Sequence, residues 1–190
     1  GLYTAAYIDS VHIEGYSQSV CTGEDVGGAI ALSMANYSAD GSDVYAISNV
    51  TTANTCIGIA FYMSQYPRIR DSTVYSATDN CFVIGSNPFT GHPSDYGSVY
   101  GLIENCNAMN CGHHGIMIAG GEGHIITDSF IGDTAGPGIQ VFNIDQAVVT
   151  INNTDLGKYK DKEILGSVTG LRARIQDTET GTVAGNPNLK

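Results

Sequence analysis

Tryptophan is absent from this 190-residue chain, and cationic side chains are nearly absent from its first 157 residues. There, Arg68 and Arg70 face fifteen Asp and Glu. Residues 158–190 reverse the balance, with six Lys and Arg against four Asp and Glu. The body is thus about −13 and the tail about +2, within a total of −11. A body of that sign repels nucleic acid and anionic membranes, so neither is an expected partner. No apolar run is long enough to span a bilayer, which excludes membrane insertion by a helix. There is no CxxC pair, no Gly-x-Ser-x-Gly and no P-loop. The opening residues GLYTAAYIDS carry neither an initiator Met nor a basic-plus-apolar leader, and the chain is read as a fragment of a longer protein.

Glycine, by contrast, is abundant, with 24 residues. Gly, Asn, Asp and Ser interrupt the chain every five to eight residues, too often for helices of normal length. Four segments overlay on one another: 44–62, 68–86, 101–120 and 124–143. An imperfect fifth follows at 148–157, and an imperfect opening unit spans 7–15 and 27–33. Two columns set the register. The first is small and mostly polar: Asn49, Ser72, Cys106, Ser129 and Asn152, at spacings of 23, 34, 23 and 23. The second opens a short strand at Ala29, Cys56, Cys81, Gly115 and Gly138. In every copy of that strand the second and fourth residues are apolar: Ile30/Leu32, Ile57/Ile59, Phe82/Ile84, Ile116/Ile118 and Ile139/Val141. Period-two alternation buries one face, and recurrence near 23 residues lays each coil's strand parallel to the next, about 4.8 Å away.

The expected fold is all-β, a right-handed parallel β-helix of about six coils over residues 1–157 with a non-repeating C-terminal tail, 158–190. Ile103, Ile116, Ile118, Ile126, Ile139 and Val141 are its expected core. The pattern I-x-x-S/N followed by G-I-x-I, over roughly residues 44–157, resembles the pectin-lyase-like β-helix superfamily. That superfamily includes polysaccharide lyases, glycoside hydrolases, mannuronan epimerases and bacteriophage tailspikes. The resemblance specifies fold better than function. Irregular coil lengths look more tailspike-like than lyase-like. The Asp-Pro-His of the epimerases is absent, and the body lacks the Lys and Arg that would neutralise a uronate in a lyase.

Chemistry on such a fold belongs to the outward positions. In the best strand column these read Ala31, Gly58, Val83, Met117 and Gln140, which cannot move protons, so that face is expected to be covered. Just before the polar column, Arg70-Asp71, Glu104-Asn105 and Thr127-Asp128 occupy a bend. Stacking would bring Asp71, Glu104 and Asp128 into one acidic stripe, the candidate catalytic set, since paired carboxylates serve glycoside hydrolysis. The same stripe would suit Ca2+, the one cofactor such a stripe implies, or be a solvated turn stripe of carboxylates that accept backbone N–H bonds.

The insertion Ser86–Gly97 lengthens its coil and brings His92 and Tyr96. With Tyr75 and His113 they are the candidate substrate-binding residues, because exposed Tyr faces stack on sugar rings. His113 and His114, adjacent on a strand, should point apart. Their spacing to Cys111 matches no zinc pattern, and no metal ligands are assigned. The five Cys, at 21, 56, 81, 106 and 111, read as small buried thiols, with at least one unpaired.

The leading expectation is an extracellular or virion-surface, tailspike-like module that binds, and in an enzymatic form hydrolyses, a host-surface polysaccharide. The alternatives are a secreted carbohydrate-active enzyme and a purely structural β-helix of a fibre or surface assembly. A homo-oligomer is expected, a trimer foremost. Residues 158–190 would leave the coils and serve as a cap or subunit contact, because Ile164, Val168, Leu171 and Ile175 cannot all be buried by a lone strand.

Overall fold

Short apolar-alternating segments separated by residues that tolerate a left-handed backbone leave the chain one economical solution, a stack of bent coils. The computed structural model describes residues 5–15, 28–33, 44–62, 64–85, 100–119, 123–141, 148–156, 163–166, 172–176 and 182–184. Nineteen strands, all paired in parallel, form three sheets, and no helix occurs among the described residues. The architecture is a right-handed parallel β-helix.

The first sheet runs β1 (Ala5–Asp9), β4 (Val44–Ser48), β7 (Arg68–Arg70), β10 (Leu102–Glu104), β13 (His124–Thr127), β16 (Val148–Asn152) and β18 (Arg172–Gln176). The second contains β2 (His12–Glu14), β5 (Thr51–Ala53), β8 (Thr73–Tyr75), β11 (Asn107–Cys111) and β14 (Phe130–Thr134). The third stacks β3 (Gly28–Ser33), β6 (Ile57–Tyr62), β9 (Phe82–Gly85), β12 (Ile116–Ala119), β15 (Ile139–Val141), β17 (Glu163–Gly166) and β19 (Thr182–Ala184).

Isoleucine ladders hold the stack together. Ile8, Ile47, Ile69, Ile103, Ile126, Ile151 and Ile175 share one register position through the first sheet. From Ile47 to Ile151 these side chains are fully buried. In the third sheet, Ile30, Ile59, Phe82, Ile116 and Ile139 align, and the inner pair is completed by Phe61, Ile84, Ile118 and Val141. The six core residues expected from the sequence are all buried and meet their ladder partners one coil away. Each such side chain contributes about 1.5–3 kcal/mol of burial.

Coil two sits two residues from the expected register. Ile59 and Phe61, not Ile57 and Ile59, align with Phe82 and Ile84. Gly58 rather than Cys56 therefore takes the column position of Cys81, and it faces inward. A Cβ there would lie 2.3 Å from Val74 Cγ1, so only glycine permits this approach.

The cysteines also depart from expectation. Cys81 and Cys111 form a disulfide across a separation of 30 residues, with Cα atoms 5.6 Å apart. Cys56 is disulfide-bonded as well. Cys106 is free and buried, and burial pushes its thiol up to about 12.

Beyond residue 157 the described segments continue the stack rather than leave it. β17 pairs with β15, β18 with β16, and β19 with β17. Ile164 follows Ile139 and Ile175 follows Ile151, so these apolar positions extend existing ladders. Residue 157 thus falls inside the sixth coil. Val168 and Leu171 lie outside the described residues.

Candidate functional site: a bend ladder and the face beside it

Among the described residues, each bend between the first and second sheets turns through one residue with positive φ: Ser10, Asn49, Asp71, Asn105, Asp128 and Asn153, at 40–57°. Asn, Asp and Ser suit this left-handed geometry because short polar side chains tolerate it. The next residue points inward, giving Val50, Ser72, Cys106, Ser129 and Thr154, all buried. Ser72, Cys106 and Ser129 thus stand where expected. Asn49 belongs one position earlier, at the bend, and Asn152 ends its strand two positions before Thr154. The inward hydroxyls knit neighbouring coils: Ser72 Oγ accepts from Val50 N at 3.2 Å and donates to Arg70 O at 2.7 Å. Ser129 Oγ repeats this with Cys106 N and Thr127 O.

The candidate carboxylates divide between two columns. Asp71 and Asp128 occupy the bend column with Asn105 between them. Glu104 stands one position back, in register with Arg70 and Thr127, and pairs with Arg70 Nε at 2.8 Å. The bend column is an alternating ladder of carboxylates and amides. Asn49 Nδ2 donates to Asp9 at 2.8 Å, Asn105 Nδ2 to Asp71 at 2.6 Å, and Asn153 Nδ2 to Asp128 at 2.6 Å. The bonds from Asn153 and Thr127 hold the Asp128 carboxyl below its usual value, and those from Ser48, Asn49 and Ser10 do the same for Asp9. Each of the three candidates therefore accepts a side-chain hydrogen bond or an ion pair, where the turn-stripe alternative expected backbone N–H donors.

An open groove of about 410 Å3 adjoins this ladder, lined by Asn107, Asp128, Ser129, Phe130, Asn153, Thr154 and Asp155. It lies on the outer face of the second sheet, whose inner face buries Thr52, Val74, Ala108 and Ile131. The outward column beside the bend reads His12, Thr51, Thr73, Asn107, Phe130 and Asp155. The Phe130 ring leans along its strand over Gly132, where an added Cβ would lie 2.8 Å from the ring. One strand residue later in each coil's outward face comes Tyr75, between Ala53 and Met109 in register and 44% exposed. An aromatic ring supported by the sheet, with amide and carboxylate groups beside it, suits a polar ring-shaped ligand.

Of the residues singled out in the sequence, Tyr75 and Asp128 belong to this region. His113 lies at the bend on the far edge of the second sheet. Its Nδ1 is 3.3 Å from Asp79 Oδ1. The two histidines do not point apart, because residues 112–115 bend rather than extend, and their rings stack at 3.7 Å. His114 is buried, and burial, then the neighbouring His113, depresses it to about 4. His92 and Tyr96 lie outside the described residues. Phe130, Asn107, Asn153 and Asp155 escaped the sequence reading. Their signal was the bend ladder itself, since any outward residue just after it faces the groove. Among the described residues no cluster of His, Cys, Asp or Glu is arranged to hold a metal ion. Comparison with known proteins returned no matching family model, no similar curated protein and no similar solved structure.

Proposed function

We propose that this chain is a surface-exposed β-helix module that binds a neutral polysaccharide along the outer face of its second sheet. The observation that carries the reading is the Phe130 ring, backed by Gly132 and flanked by Asn107, Asp128 and Asp155 in an open groove. A pyranose stacks its C–H face on such a ring while its hydroxyls donate to carboxylates and amide oxygens. The groove volume lies within the roughly 300–1,000 Å3 of small-molecule sites. Tyr75 offers a second ring on the same face, as a chain-like ligand requires. The acidic body disfavours polyanions, which selects neutral sugars. The reading is of binding, because the observation that carries it is an aromatic platform and not a proton-donating carboxyl. The disulfides suit an oxidising, extracellular setting. The sequence resemblance to the pectin-lyase-like superfamily, tailspikes included, points the same way.

The test is titration of the protein against neutral and uronate-containing capsular and cell-wall polysaccharides, with sizing of the products. Neutral glycans should bind with unchanged chain length. Phe130→Ala should weaken binding about tenfold or more, an effect of roughly 1.4 kcal/mol, and Tyr75→Ala should weaken it less. Equal binding by Phe130→Ala and the parent would remove the groove from the reading. Shortened products would restore hydrolysis.

A further inference from the structure

The polar groups beside Phe130 differ in what they have left to offer a ligand. Ser129 and Thr154 are buried, and each gives its single O–H to a backbone carbonyl. Ser129 Oγ donates to Thr127 O at 2.9 Å, and Thr154 Oγ1 to Asn152 O at 2.8 Å. Asn107 Nδ2 donates to Thr73 Oγ1 at 3.4 Å and Asn153 Nδ2 to Asp128 Oδ1 at 2.6 Å, so each amide keeps one N–H. Among the described residues no donor meets either amide oxygen, and both remain acceptors. Asp128 Oδ1 takes the Asn153 bond and Oδ2 the Thr127 hydroxyl at 3.0 Å. A carboxylate has about four acceptor sites, so each oxygen of Asp128 keeps one. Asp155, the bridge partner of Phe130 in the next coil, is exposed and brings a second carboxylate. The described lining thus presents two carboxylates and two amide oxygens against two amide N–H groups, with no Lys or Arg.

Such a surface complements a ligand rich in donors. A sugar hydroxyl brings one donor and two acceptors, and matches it only in part. An ammonium brings three donors and no acceptor, and its bonds to carboxylates are about twice as strong as neutral ones. The surrounding charges do not oppose a cation. Glu104 stands one coil back and is paired with Arg70, Asp71 lies two coils back, and Asp133 follows along β14. The body's two cations, Arg68 and Arg70, belong to the first sheet, and the described tail strands join the first and third sheets. We infer that the groove is selective for amino sugars, the pyranose of a hexosamine resting on Phe130 and its protonated amine held by Asp128 and Asp155. This rests on the groove being a glycan site and narrows the class of glycan. Uncharged hexoses stack on the ring, and an amine adds charge-assisted bonds that N-acetylation removes, because an acetamide keeps one donor and no charge.

Hexamers of glucose, N-acetylglucosamine and glucosamine in one common linkage provide the test. They are titrated at about pH 6 in about 0.15 M salt, where exposed charges beyond about 8 Å are largely screened. The glucosamine hexamer should bind the parent at least about tenfold more tightly than the other two. Asp128→Asn or Asp155→Asn should reduce that ratio to about threefold or less. Asn is close to Asp in size and tolerates the left-handed bend at position 128. Where either variant fails to fold, the ratio measured on the parent still decides. Asp9→Asn, at the far end of the bend ladder, removes the same charge and should leave the ratio unchanged. An equal loss there would assign the preference to the acidic body as a whole and overturns the inference. So does glucosamine binding that Phe130→Ala leaves unaltered. Equal binding of all three hexamers by the parent overturns the inference and leaves the groove a glycan site, whereas binding of none removes both.

Discussion

The outer faces of the second and third sheets obey the same period-two alternation and meet opposite fates. On the third sheet most outward residues are themselves buried, Met117 only partly. Ala60 and Val83 are inaccessible, Tyr62 and Gln140 nearly so, and Ile57, Ala60, Tyr62 and Val83 form a small apolar cluster outside the main core. Burial, and after it the Asp79 charge, pushes the Tyr62 hydroxyl up to about 12. On the second sheet the outward residues His12, Asn107 and Asp155 are exposed, and Tyr75 stands 44% open. Alternation states which side of a strand faces the core. It does not state whether the other side meets water. Composition does not settle it either, since Tyr75, Phe130 and Met109 stand on the open face beside Thr, Asn, Asp and His, and Gln140 is buried on the covered one. The covered face cannot receive a ligand without opening, whereas the open one already can.

The sharpest way to break this contrast is a charge on each face. Val83→Asp should cost about 3–5 kcal/mol, because it leaves an uncompensated buried carboxylate, whereas Thr73→Asp should stay within about 0.5 kcal/mol. Urea denaturation of both variants measures the difference, and equal midpoints would abolish the distinction. Next in size is the staple joining the second sheet to the third. Replacing both Cys81 and Cys111 by Ala releases a 30-residue closure and should cost roughly 3–4 kcal/mol by loop entropy.

A smaller effect belongs to the bend between those same two sheets. His114 titrates near 4 when folded and near 6.5 when unfolded, so the unfolded chain binds the extra proton between those values. Stability should therefore decline as pH falls from about 6.5 to 4. His114→Gln should flatten that part of a melting-temperature profile. A slope unchanged by the substitution would place the acid sensitivity elsewhere. The smallest change concerns the bend ladder beside the groove. The depressed Asp128 adds stability above its unfolded value of 3.8 and loses it as pH falls through the lower folded value. Asn153→Ala should move the Asp128 carboxyl back up, read by NMR titration, with little change in melting temperature.

Much of the coil logic was legible because isoleucine alternation and a recurrence near 23 residues leave few other ways to bury one face of so many short segments. The register of coil two was not, because Ile57 and Ile59 are both apolar and a two-residue shift preserves which face is buried. Asn49 and Asn152 were misplaced for a related reason. Asn suits both an inward hydrogen bond and a left-handed bend, and the positive-φ preference decides at Asn49. The tail's apolar residues were assigned to a cap because a lone strand cannot bury them, yet Ile164 and Ile175 find ladders already waiting. The candidate site was legible only in part. Asp128 and Tyr75 could be named as polar and aromatic residues at outward positions. Asn107, Phe130 and the Asn153–Asp155 pair come from three coils and become neighbours only once the coils stack.

By itself the sequence determined the all-β solenoid, the identity of the core ladders and the sign of the surface, because these follow from periodicity and composition. Only the tertiary structure decided that Glu104 pairs with Arg70 rather than joining Asp71 and Asp128, and that Cys81 lies beside Cys111. It also decided which outward face is open. Each of these depends on alignment between coils of unequal length, and a shift of one residue moves a side chain to a different column without altering any local preference.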